Sequence, residues 1–238
     1  MSVEALVLAA GRGTRMGGDL PKAFVELAGA PLIEHAVLAL AAAPSVRRIV
    51  PVIPREDFER FASLDLARRG ALGGRLAAPV AGGAERQDSM RCGLAALGGD
   101  VELVAVHDAA RPLVRADAVE RVIAAARSHG AAILATPVTD TIKRVRGGAV
   151  VETPLRSECW AAQTPQVFAP DVLREGVEKA VANGRVASDD AQLVEWIGVR
   201  VSVVEGSPDN LKITHPADLI VAERQLAARA ARGTGGPP

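Results

Sequence analysis

The sequence predicts an α/β fold: a mostly parallel sheet with helices on both faces. Three observations predict it. Strand-like and helix-like segments alternate along nearly the whole chain. The strand-like runs are continuously apolar, as strands buried on both faces are. The helix-like segments carry stop signals, Pro44 after one and Gly130 after another.

The elements follow in order. Residues 5–10 form an apolar run that ends in glycine and reads as the first buried strand. A helix is expected over 32–43, a strand over 48–53 and a charged helix over 55–66. A short strand over 76–80 and a helix over 88–97 come next, then a buried strand over 103–106. A helix over 117–129 leads to a strand over 132–135. There the rhythm breaks. Residues 142–145 and 149–152 flank Gly147-Gly148, a hairpin with a glycine turn. The hairpin reads as polar and is expected to project as an arm over about residues 141–162. Helices over 170–183 and 189–197, a strand over 200–205 and a last helix over 216–231 complete the pattern. With no internal repeat and no linker, residues 1–230 are expected to form one domain, with 231–238 a disordered tail.

Composition narrows the function classes. A hydrophobic content of 49% over 238 residues is ample for a packed core. The formal net charge is zero, which argues against a nucleic-acid binder, because gripping a phosphate backbone needs a basic excess. Lys22, Lys143, Lys179 and Lys212 are the chain's lysines, so arginine carries most positive charge. Cys92 and Cys159 show neither metal-ligand spacing nor a disulfide framework. No apolar stretch approaches the ~20 residues that span a membrane, and the first residues lack a signal peptide's basic start. A cytoplasmic location is the expectation.

The first strand runs into Ala9-Ala10-Gly11-Arg12-Gly13-Thr14-Arg15-Met16-Gly17-Gly18 at the ligand edge expected of an open α/β sheet. Glycines there let backbone amides approach a phosphate. Met16 occupies the slot where a dinucleotide fingerprint needs glycine, which argues against a nicotinamide enzyme. Asp19-Leu20 stand where a P-loop needs lysine and Ser/Thr. What remains is an amide-lined loop carrying Arg12 and Arg15, with Pro21-Lys22 beyond it, a set that suits a triphosphate.

This segment resembles the signature of the sugar-phosphate nucleotidyltransferases, which implies a Rossmann-like sheet and nucleotidyl transfer. Four further segments resemble one family within that group, the 2-C-methyl-D-erythritol 4-phosphate cytidylyltransferases. They are Gly82-Gly83-Ala84-Glu85-Arg86-Gln87-Asp88-Ser89, His107-Asp108-Ala109-Ala110-Arg111-Pro112, Trp160-Ala161-Ala162-Gln163-Thr164-Pro165-Gln166 and Asp209-Asn210-Leu211-Lys212-Ile213-Thr214. The likeness extends from about Val3 to Leu226. Ser188 stands where the family often has threonine, a swap that keeps the hydroxyl. No second catalytic domain is expected after Leu226, in contrast to the fused form of the family. A ribitol 5-phosphate cytidylyltransferase shares these motifs and stays open as the alternative.

The resemblance implies transfer of CMP from CTP to 2-C-methyl-D-erythritol 4-phosphate, in the non-mevalonate route to isoprenoid precursors. Both reactants are anions, so the protein's work is positioning and charge neutralisation. Arg15, Lys22 and Lys212 are the expected catalytic cations. Ala9, Ala10, Gly11, Gly13, Gly82, Gly83, Ser89 and Ala109 are expected to cradle CTP, the small residues leaving room for a pyrimidine. Asp108, Arg111, Thr141, Arg156 and Lys212 are expected at the acceptor. Mg²⁺ is the expected cofactor, with Asp108 the first ligand candidate and Asp209 the second. His107 reads as a packing residue rather than a catalyst. Thr141 and Arg156 lie on the arm, which in the family reaches a neighbouring subunit, so a homodimer is implied.

Overall fold

The structure is a computed structural model that describes residues 2–10, 20–68, 70–83 and 85–233. Its centre is a seven-stranded sheet. The strands are β1 (Ser2–Leu8), β4 (Val46–Ile53), β5 (Val80–Ala81), β6 (Val101–Asp108), β7 (Ala131–Pro137), β10 (Trp160–Phe168) and β11 (Ser202–Glu205), in the spatial order β11-β7-β10-β6-β1-β4-β5. All neighbours run parallel except β10, which is antiparallel to both β6 and β7.

Alternate residues of a strand face opposite sides, and β1 shows it. Val3, Ala5 and Val7 join one apolar cluster, Leu6 and Leu8 the other. The first cluster takes in α1 (Leu32–Ala41) and α4 (Ala116–His129), and the second takes in α3 (Arg86–Ala95), α5 (Pro170–Ala182) and α6 (Asp190–Glu195). Helices on both sides explain why the strands read as unbroken apolar runs. α4 ends where expected, at Gly130 with φ 85°. A third, smaller cluster, Leu27, Leu32, Leu113, Ile213 and Ala222, docks the last helix, α7 (Pro216–Ala231).

Several elements differ from the sequence expectation. The helix expected over 55–66 is broken into a 3-10 turn (Arg55–Asp57), a short α2 (Phe58–Ser63) and another 3-10 turn, Leu66–Arg68. Asp65 at φ 49° lies in the left-handed region and ends the helix. The strand expected over 76–80 shrinks to a bridge at Leu76 and the two-residue β5, because Pro79 has no N–H for a ladder. A small ribbon, β2 (Glu26–Leu27) and β3 (Ala30–Pro31), was not expected; it turns on Ala28 and Gly29, both at positive φ. α7 continues through Ala231 with Arg232 as its cap, so the helix enters the segment expected to be tail. Residues 234–238 lie outside the described residues.

The largest departure is β10, expected as a post-arm segment and found as a nine-residue central strand. Its direction has a simple cause. β7 carries the chain outward to the sheet edge where β1 and β6 end. The arm, β8 (Arg144–Arg146) and β9 (Ala149–Glu152), leaves from there. A chain that returns at the same edge runs antiparallel beside the strand it left. The arm turns on Gly147 and Gly148 at φ 57° and 80°. It is less polar than expected: Val145, Val150, Val151 and Leu155 are each about half exposed or more.

Candidate active site

Four parallel strands finish side by side. Leu8 at the end of β1 pairs with Val52 on one side and Asp108 on the other, and Ile53 pairs with Ala81. Beyond these ends the chain stays tied: Ala9 N–H donates to Val52 O, Gly82 N–H to Ile53 O and Ala109 N–H to Leu8 O. The loops bound a cavity of about 240 Å³. Ala9, Ala10, Lys22, Gly83, Ser89, Asp108, Ala109 and Lys212 line it, together with Glu85 and Arg86.

Lys22 opens a 3-10 turn (Lys22–Phe24) whose Ala23 and Phe24 are buried, so the lysine projects from an anchored base. Lys212 sits on the loop after β11. That loop is pinned on both sides of it: Ile213 N–H donates to Ala110 O at 2.8 Å, and Asn210 Nδ2 donates to Thr164 O at 2.9 Å. Lys212 Nζ meets Asp108 Oδ2 at 2.7 Å.

Asp108 is buried, and its second oxygen takes Arg86 Nη1 at 2.7 Å. Burial pushes its carboxyl up, but Arg86 and Lys212 together outweigh that and hold it well below the usual carboxylate range. Arg86 in turn uses Nε and Nη2 on the two oxygens of Asp190, at 3.0 and 2.6 Å. Burial favours the neutral guanidinium, yet the two carboxylates more than offset it, and the group stays charged.

Behind Asp108 a polar chain sets the strand ends. The Asp108 N–H donates to Thr164 Oγ1 at 3.1 Å. Thr164 Oγ1 lies 3.0 Å from His107 Nδ1, and His107 Nε2 lies 3.0 Å from Arg111 O. A carbonyl accepts, so Nε2 carries the hydrogen and Nδ1 accepts from the threonine hydroxyl. Full burial is the main force pushing His107 down to about 4, so the ring is neutral at neutral pH. His107 is buried and does not line the cavity.

The small residues have a geometric reason. A Cβ on Gly82 would sit 2.5 Å from Ala10 Cβ and 2.9 Å from Ser89 Oγ. One on Gly83 would sit 2.3 Å from Asp88 Cβ. Ser89 Oγ accepts the Gly83 N–H at 3.1 Å, closing the loop over the start of α3.

Other expected residues fall elsewhere. Gly11, Gly13 and Arg15, with Arg12, lie outside the described residues. Asp209 does not line the cavity: its carboxylate turns to Gln225 at 3.4 Å and Arg229 at 3.8 Å, both on α7. Arg111 braces three segments, donating to Asn210 O at 2.7 Å and Ala162 O at 3.1 Å. Thr141 and Arg156 are exposed on the arm segment, and Arg156 donates to Thr139 O at 3.3 Å. Among the described residues no three His, Cys, Asp or Glu side chains gather to hold a metal. Asp108, the carboxylate of the described residues that lines the cavity besides Glu85, has one oxygen on Arg86 and the other on Lys212.

The sequence reading missed Arg86 and Asp190. A signal existed: Arg86 is the first residue of α3, where the helix dipole disfavours a cation unless carboxylates hold it.

The 2-C-methyl-D-erythritol 4-phosphate cytidylyltransferase family model matches residues 3–228. The chain belongs to this family. A relative of that name from Symbiobacterium thermophilum is 46% identical over 231 residues, covering 96% of this chain and 94% of its own. One from Pelotomaculum thermopropionicum is 43% identical over 231 residues, covering 97% and 96%. The crystal structure of 4-diphosphocytidyl-2C-methyl-D-erythritol synthase from Anaerococcus prevotii superposes with a TM-score of 0.83 at 30% identity, covering 95% of this chain and 98% of that one. The cytidylyltransferase structure from Thermus thermophilus gives 0.75 at 36% identity, covering 94% and 98%. Lys22, Lys212 and Asp108, all within the matched range, line the same cavity. No helix among the described residues is long and apolar enough to cross a membrane.

Proposed function

We propose that this chain transfers CMP from CTP to 2-C-methyl-D-erythritol 4-phosphate and releases pyrophosphate, serving the non-mevalonate isoprenoid route in the cytoplasm. One observation carries the reading. In a chain of this family, two lysines from distant segments converge on a cavity floored by small residues and bounded by an ionised aspartate.

An oxygen of the acceptor phosphate attacks the α-phosphorus of CTP, a P–O bond forms, and the bond to the pyrophosphate oxygen breaks. A phosphate dianion is a competent nucleophile near neutral pH, so no general base is needed. Lys22, with Arg15, offsets charge on the triphosphate, and Lys212 offsets it at the α-phosphate or the incoming acceptor. The small residues Ala10, Gly82, Gly83 and Ser89 are assigned to the cytosine, and Ala9, Ala109, Gly11 and Gly13 to the rest of the nucleotide. Asp108 would hold a bound Mg²⁺, which would supply further charge neutralisation at the triphosphate. The acceptor phosphate is met by Lys212, with Asp108 beside its polyol, and Arg111 braces the loop that carries Lys212 by donating to Asn210 O.

Thr141 and Arg156 complete the acceptor site from a second copy of the chain. The exposed apolar side chains of the arm support a homodimer built through it. A pyrophosphate-release assay over four nucleotides and a panel of sugar-alcohol phosphates tests the whole reading. CTP with methylerythritol phosphate is the expected best pair. A clear preference for ribitol 5-phosphate would overturn the acceptor.

A further inference from the structure

We infer that Asp190, which has no place at the cavity surface, is a positioning residue: it fixes Arg86 against Asp108 and so sets where Lys212 stands. The inference rests on the transfer reaction proposed above.

The geometry is directional. A guanidinium is a rigid planar fork. Two of its nitrogens are taken by the two oxygens of Asp190, which leaves Nη1 aimed at Asp108 Oδ1. Asp108 is thereby turned so that its other oxygen receives Lys212. The anchor is itself fixed. Asp190 is 1% exposed and opens α6. Asp189 caps that helix by accepting the Gln192 N–H, and Gln166 on β10 accepts the Ala191 N–H and donates to Asp189 Oδ2, each at 2.9 Å.

The charges explain why such an anchor is needed. In this cluster Asp108 and Asp190 face Arg86 and Lys212, with Arg111 near Asp108 and Asp189 near Asp190. Were Asp190 neutral, Arg86 would be a mobile cation at the cavity wall, free to follow an arriving triphosphate. Asp108 would then keep Lys212 for itself. With Asp190 in place, Arg86 stays on Asp108, and Lys212 is the cation released to phosphate. A buried ion pair adds little stability over an apolar replacement, so its use here is placement.

The chain's four lysines make the test direct. Reductive methylation with isotopically labelled methyl groups gives each lysine an NMR signal, assigned by Lys→Arg variants. In Asp190→Asn the Lys212 signal should move while those of Lys143 and Lys179 stay. kcat should fall at least ~10-fold with the CTP Kd changed less than about threefold, since a misplaced group costs rate before it costs binding. Arg86→Lys keeps the charge but cannot bridge two carboxylates, and it should behave alike. The double variant should lose no more than either single one. Arg86→Lys carries the same readouts should Asp190→Asn not fold. An unmoved Lys212 signal, or losses that multiply in the double variant, would overturn the inference. A wild-type protein that releases no pyrophosphate with any acceptor would instead refute the functional reading, and the lysine signals would still decide this one.

Discussion

Asp108 holds Lys212 at 2.7 Å, with the lysine side chain 45% exposed and the aspartate almost wholly buried. The pair is asymmetric. The acid is locked by Arg86 and by the backbone behind it, while the base can exchange its partner for a phosphate oxygen at small cost in position. A cation held in this way is close to its working place before substrate arrives, which is how a site avoids reorganising during the reaction.

Lys22 is the other cation of the cavity among the described residues that the sequence singled out. Lys22→Ala should leave the fold intact, because Ala23 and Phe24 are buried and anchor the turn. Turnover should fall at least ~10²-fold. Steady-state rates alongside a melting curve check both halves, and a near-normal rate would remove Lys22 from the mechanism.

Gly82→Ala tests the base slot. The added methyl meets Ala10 and Ser89, both inside ordinary contact distance. Overpacking of this kind costs about 1–3 kcal/mol. That strain falls on the nucleotide slot, so the CTP Kd should rise about tenfold or more while the acceptor KM stays near its wild-type value. Unchanged CTP binding by calorimetry would show that this corner does not receive the base.

Arg156→Ala tests the arm. Arg156 lies apart from the cavity of its own chain, so its loss should raise the acceptor KM more than the CTP KM. Equal effects in steady-state kinetics would mean that the arm does not read the acceptor.

His107 gives the chain a pH signature. Its folded-state value is pushed down to about 4 from the ordinary 6.5, so between those values the unfolded chain binds a proton that the folded one refuses. Stability from this source is full above about pH 6.5 and is lost as pH falls toward 4. The loss is on the order of 3 kcal/mol when complete. In His107→Gln that component should vanish, and the melting temperature should fall less steeply from pH 7 to 4.5 than in the wild type. Parallel slopes would contradict the buried neutral ring.

The sequence made the parallel strands legible because burial on both faces leaves an unbroken apolar run, as in β1 and β6. The ligand edge was legible for the same reason: Ala9 follows such a run and Asp108 ends one. β10 was not, because Gln163, Thr164 and Gln166 interrupt it with polar groups that work behind the site. Lys22 and Lys212 stood out by their rarity. Arg86 was hidden among many arginines, and Asp190 is explained only by a partner that folding brings to it. The direction of Asp209 was not legible, because position in the chain says nothing of where a side chain turns; its carboxylate faces α7.

The arm is inserted where β7 ends and β10 begins, so both its ends leave the body at one corner. Residues can be added to or removed from that excursion without disturbing the register of a central strand. Lineages can therefore remodel the reach of the arm, and whatever it touches, while the nucleotide end of the molecule stays untouched.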